Sequence, residues 1–171
     1  NGVASIQAET LEVRGSDAAA SLLEGSGSLN ISAQNIVYKG GNLVLGGVDA
    51  LTMNASGFVT LAGDGTWRMG AKSTQITAPI VTAESGVTST LAADGTLALS
   101  GGEQAAVDVT SSGIGASVNV TGTSVAMDNH WLLSSGLMSV TATTGDLQVG
   151  EHALLDASGT HLTVFEKSYY T

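Results

Sequence analysis

Apolar residues two positions apart recur along the whole chain, and Gly, Asn, Asp or Ser follows almost every pair. Leu11/Val13, Leu29/Ile31, Leu43/Leu45, Leu51/Met53, Val59/Leu61 and Trp67/Met69 open the series. Leu97/Leu99, Val107/Val109, Val118/Val120, Val125/Met127, Met138/Val140, Leu147/Val149 and Leu162/Val164 continue it. Side chains alternate across a strand, so a period of two buries one face and wets the other. From Leu29 the apolar starts fall at 29, 36, 43, 51, 59 and 67, a step of seven or eight residues. Hairpin sandwiches take a turn only every 8–12 residues or so. Strands of about three to five residues, each with its own corner, predict a solenoid with three sides and about 22 residues per coil. The expected fold is all-β, a right-handed parallel β-helix forming one β-solenoid over residues 1–171, with about seven or eight coils. At about 4.8 Å per rung the rod would be some 35–40 Å long.

Composition agrees with narrow coils. The 23 Gly suit frequent corners, the single Pro spares the ladders, and aromatics at 4% suit a thin interior. With no Cys, disulfides and Cys-based zinc or redox sites are excluded. A net charge of −10 from five basic and fifteen acidic residues excludes nucleic acid and anionic membrane surfaces as natural partners. No run approaches the roughly 20 apolar residues of a membrane span. The chain opens on Asn1-Gly2, which reads as a segment of a larger secreted protein, and the lack of Cys fits export to an oxidising space. One short helix is expected at Ser16–Glu24, and irregular coils at residues 79–91 and 100–117.

Internal repetition is visible. Leu61-Ala62-Gly63-Asp64-Gly65-Thr66-Trp67-Arg68-Met69 aligns with Leu91-Ala92-Ala93-Asp94-Gly95-Thr96-Leu97-Ala98-Leu99, and Gly145-Asp146-Leu147-Gln148-Val149-Gly150 is a looser copy. The stretch Leu137-Met138-Ser139-Val140-Thr141-Ala142, then Gly145-Asp146-Leu147-Gln148-Val149-Gly150, then Ala153-Leu154-Leu155-Asp156-Ala157-Ser158-Gly159 carries a further signal. It resembles the repeats of filamentous haemagglutinin-like exoproteins, the large secreted partners of bacterial two-partner secretion. The wording is recognisable over residues 130–159 and the style over nearly the whole chain. The resemblance implies a right-handed parallel β-helix and a non-catalytic structural or adhesive segment of a secreted surface filament. It also implies an outer-membrane transporter as partner, engaged through a secretion module that this sequence does not show, and a host-cell or glycan receptor.

Chemistry-bearing residues are few. His130, His152 and His161 do not have metal-motif spacing, but 22 residues is about one coil, so His130 and His152 could stack on adjacent coils. Asp64, Asp94, Asp128 and Asp156 invite comparison with the acid clusters of β-helical polysaccharide lyases, with Arg14, Lys39, Arg68, Lys72 or Lys167 as the only possible bases. The Asp-Gly dipeptides among them, Asp64-Gly65 and Asp94-Gly95, fit tight turns better. Sequons stand at Asn30, Asn54 and Asn119, where stacked corner amides are the alternative to glycosylation. Trp67 reads as core, Trp131 as a loop residue, and Tyr169-Tyr170 as a surface for the next coil. The expectation is therefore no catalytic, cofactor-binding or metal residue and no cofactor, with a carbohydrate-active β-helix, lyase-like or glycan-binding, as the alternative. Unpaired strand edges at the solenoid ends further predict end-to-end association.

Overall fold

A computed structural model describes residues 2–17, 25–104 and 113–159. The chain is a β-solenoid of stacked parallel strands. Its three faces follow directly from the sequence steps. The long strands β1 (Gly2–Val13), β2 (Gly27–Tyr38) and β4 (Ala50–Leu61) each lie on one face, bend, and continue on the next. The bend shows in the pairing of β4. Its first half, Ala50–Asn54, pairs with β6 (Ser73–Thr77), and its second half, Phe58–Leu61, pairs with β7 (Ile80–Ala83). The first face is completed by β9 (Thr96–Ser100), β11 (Val125–Asp128) and β14 (Leu147–Val149). The second face continues with β12 (His130–Leu132) and β15 (Leu154–Asp156). The third face is β3 (Gly41–Leu45), β5 (Gly65–Met69), β8 (Thr88–Ala93), β10 (Ser117–Gly122) and β13 (Leu137–Ala142).

Parallel register stacks like on like. Ile6, Ile31, Met53, Ile76, Leu99, Met127 and Val149 form one inward column of the first face. Leu11, Ile36, Val59, Val81, Trp131 and Leu155 form the column of the second. Leu43, Trp67, Leu91, Val120 and Val140 form that of the third. Each fully buried side chain of this size contributes about 1.5–3 kcal/mol by leaving water. Trp67 is buried as its alternation with Met69 predicts, and it stacks on Tyr38 from the second face with ring centroids 5.6 Å apart. The corner from the second face to the third is built on glycine. Gly41 and Gly65 have φ of +82° and +135°, and a Cβ on Gly65 would fall 2.2 Å from the carbonyl oxygen of Gly41.

The structure corrects several expectations. The solenoid has about six turns rather than seven or eight, because coils are not uniform. The registers Ser28↔Ala50, Ala50↔Ser73 and Ser73↔Thr96 step by 22, 23 and 23 residues, whereas Gly2↔Gly27 and Leu97↔Val125 step by 25 and 28. Three strands have 12 residues, because they run round the bend, with a one-residue register slip in the β2–β4 ladder there. Residues 79–91 are regular, holding β7 and β8 joined by a turn; of 100–117, residues 105–112 lie outside the described residues, and a 3-10 turn occupies Gly102–Gln104. The aligned phrases at 61–69 and 91–99 are not one coil apart. They span different corners, the first leading from the second face to the third and the second from the third face to the first. The helix expected at Ser16–Glu24 lies, beyond Asp17, outside the described residues, and Ser16 bridges Asn42 instead. Val107/Val109, His161, Leu162/Val164, Lys167 and Tyr169-Tyr170 also lie outside them.

Candidate functional site

An open surface groove sits outside the bend between the first two faces. It has a volume of about 450 Å³ and is lined by Gln7, Ser32, Gln34, Asn54, Ser56 and Thr77, with Ala8, Ala33 and Ala55 between them. Register explains the lining. Gln7, Ser32, Asn54 and Thr77 are one outward column on four successive coils. The ladder slips by a residue between Ala33 and Asn35, which places Gln34 and Ser56 at the bend itself. Ala8, Ala33 and Ala55 alternate with the outward column, and Ala33 and Ala55 pack against the core. Among the described residues, the side chains of Gln7, Ser32, Gln34, Asn54 and Ser56 have no hydrogen-bond partner in the protein, whereas Thr77 Oγ1 lies 3.2 Å from Ser100 Oγ. Asn30 and Asn54 thus stand on outward strand positions, as does Asn119, opposite Ser, Thr or, for Asn30, also Ser5. The expected ladder of corner asparagines does not form.

The inward corner amide is Asn129. It is fully buried, its Nδ2 donates to the carbonyl oxygen of Ala78 at 3.3 Å, and its Oδ1 accepts from Trp131 Nε1 at 3.0 Å. Trp131 is correspondingly 0% exposed within β12, not on a loop. The polar break that suggested a loop is an asparagine turned inward to satisfy the indole.

Asp128 and His152 meet across neighbouring coils. The backbone N–H of His152 donates to Asp128 Oδ1 at 2.8 Å, and His152 Nδ1 lies 3.2 Å from Asp128 Oδ2. Glu151 stands 3.8 Å from His152 Nε2. Hydrogen bonding from the His152 backbone, then from its ring, holds the Asp128 carboxyl below the usual range. The Asp128 side chain, opposed by partial desolvation and helped by the charges of Glu151 and Glu103, raises the His152 imidazole. The expected stack of His130 on His152 does not occur. The second-face register pairs His130 with Leu154, a step of 24, so His152 falls two residues short and lands on the corner beside Asp128.

The remaining acids do not converge. Asp64 Oδ1 accepts from the backbone N–H of Thr88, Asp94 pairs with Arg68 at 2.8 Å, and Asp156 accepts from the backbone N–H of Ser158. Lys39–Glu12 and Lys72–Asp49 likewise join neighbouring coils at exposed positions, where an ion pair contributes about 0–1 kcal/mol. Among the described residues, no group of three or more His, Asp or Glu could hold a metal ion. Among them also, no helix is long and apolar enough to cross a membrane. Sequence reading missed the groove, because its residues are ordinary outward Ser, Asn and Gln whose convergence depends on the bend. The one usable signal was the alanine at 8, 33 and 55, recurring at steps of 25 and 22. Comparison with protein-family models, with curated proteins and with solved structures finds no match to this chain.

Proposed function

We propose that this chain is a non-catalytic structural and adhesive segment of a secreted bacterial surface filament, providing length and displaying binding surfaces. The observation that carries the reading is the stacking itself. Each described coil pairs in parallel with its neighbours, so every coil is the template for the next and length comes from repetition. The resemblance of residues 130–159 to filamentous haemagglutinin-like exoproteins supports placing that filament at the cell surface. It also supports an outer-membrane transporter as export partner and a host-cell or glycan receptor as target. A right-handed coil accords with the handedness that about 98% of parallel β-crossover-β connections take. A lyase-like reading would need carboxylates and a base at the groove, and the lining named above has neither.

The display-rod reading is tested by deleting one whole coil. Removing residues 50–72 joins Asp49 to Ser73, and Ala50↔Ser73 are register partners, so the ladder closes over the gap. The expected product retains its β circular dichroism and cooperative melt, and small-angle scattering shows a rod shorter by about 4.8 Å with the same cross-section. An unfolded or collapsed deletion product would contradict a modular rod.

A further inference from the structure

We propose that the groove outside the first bend binds a neutral glycan, laid along the solenoid axis across successive coils. The inference rests on the display reading and names what the displayed surface would take.

Three observations carry it. The first is shape. About 450 Å³ lies within the range of ligand sites, and the groove runs along the stack because its walls are register columns rather than one loop. A ligand that repeats along its own axis meets a fresh amide or hydroxyl at every coil, about 4.8 Å apart. The second is availability. Several hydroxyls elsewhere on the rod are committed to neighbouring coils: Ser89 Oγ donates to the Gly63 carbonyl at 2.7 Å, Thr82 Oγ1 to that of Leu132 at 3.1 Å and Thr143 Oγ1 to that of Gly122 at 3.2 Å. In the groove Gln7, Ser32, Gln34, Asn54 and Ser56 have no such commitment among the described residues. The third is chemical type. Amides and hydroxyls each donate and accept, which matches a ligand whose hydroxyls also do both.

Charge decides between ligand classes. The lining holds no Lys, Arg or His to meet a carboxylate or phosphate, and the whole chain at −10 repels polyanions. A uronate polymer or nucleic acid is therefore disfavoured. A peptide would dock by pairing with a free strand edge or by filling apolar pockets. Here the backbones of β2 and β4 are paired on both sides, and the only apolar lining is alanine. Two residues beyond Ser56, Phe58 is 38% exposed on the adjoining face and offers a ring for a sugar to stack on.

The test is a nuclear magnetic resonance titration of the intact chain with cellohexaose, xylohexaose and maltohexaose, and with hexagalacturonate as the charged comparator. At least one neutral hexamer should shift the side-chain amide signals of Gln7, Gln34 and Asn54 at millimolar or lower concentration, with hexagalacturonate about tenfold weaker or more. The double variant Gln34→Ala/Asn54→Ala should lose about tenfold in affinity with an unchanged melting midpoint. The idea is overturned by silence from every neutral hexamer, by shifts confined to the third face, or by undiminished binding in the double variant. None of those results touches the coil-deletion outcome, so the rod and the groove fail separately.

Discussion

Residues 27–72 and residues 73–159 belong to one solenoid but turn their first corner differently. In the earlier region β2 and β4 pass from face to face as unbroken strands. From the fourth coil onward the corner is broken: by Ala78-Pro79 between β6 and β7, and by Asn129 between β11 and β12. Proline has no N–H for the ladder, so a strand cannot run through it unbroken. The coil that holds β9 goes further. After a 3-10 turn at Gly102–Gln104 it places no described strand on the second face, and β12 pairs directly with β7. The register there jumps from Ile80 to His130, 50 residues away, while the first face keeps all its rungs through β6, β9 and β11. The lesson is that the two faces are separable. The first face enforces one rung per coil, and the second tolerates an omission as long as the apolar column closes over it, which Val81 on Trp131 does.

That contrast can be broken where each region is most committed. The largest effect is expected in the regular region. Trp67→Ala removes the largest side chain of the third-face column and its stack on Tyr38, and should cost about 3–5 kcal/mol in denaturant melts. A loss of under about 1 kcal/mol would mean that the interior is far looser than its register implies. The broken corner should yield less. Asn129→Ala leaves Trp131 Nε1–H and the Ala78 carbonyl without their partner, a penalty of about 1–3 kcal/mol, and Asn129→Asp should not restore the bond to Ala78. Equal stability of Asn129→Ala and the parent would show that the corner amide is dispensable.

The smallest effect is the clasp between the last two described coils. His152 is raised by its bond to Asp128, so its contribution is present below the ordinary histidine value of 6.5 and is lost as pH rises through the folded-state value. Asp128 is lowered, so its contribution is present above the ordinary carboxylate value of 3.8 and is lost as pH falls through its folded value. Hydrogen-exchange protection of β14 and β15 should therefore be greatest at mildly acidic pH, and His152→Ala should flatten that profile. A parent profile already flat would remove the clasp from the account.

The two regions also differ in how far they could be read in advance. The first face was legible almost throughout, because Leu29/Ile31, Leu51/Met53, Leu97/Leu99 and Val125/Met127 put apolar pairs on one side and polar residues on the other. β6 escaped notice because one of its inward residues is Thr74, buried at 1% with its hydroxyl unpartnered among the described residues. β7 escaped for the opposite reason. Ile80, Val81, Thr82 and Ala83 are all buried, and a strand covered on both sides shows no alternation. The omitted rung was beyond sequence reasoning, since nothing local to His130 or Ile80 announces a partner 50 residues distant. The groove was equally hidden, for bends are set by the pairing of whole strands and not by the residues that end up lining them.

Because the chain contains no Cys, the pairing can be read by cross-linking alone. Two double variants suffice: Thr52→Cys/Gln75→Cys, register partners on the first face, and Ile80→Cys/His130→Cys, partners across the omitted rung. The account predicts that both pairs form an intramolecular disulfide in the folded chain and neither does in denaturant. A first pair that closes beside a second pair that stays reduced would contradict the direct stacking of β12 on β7. Failure of both would contradict the parallel solenoid itself.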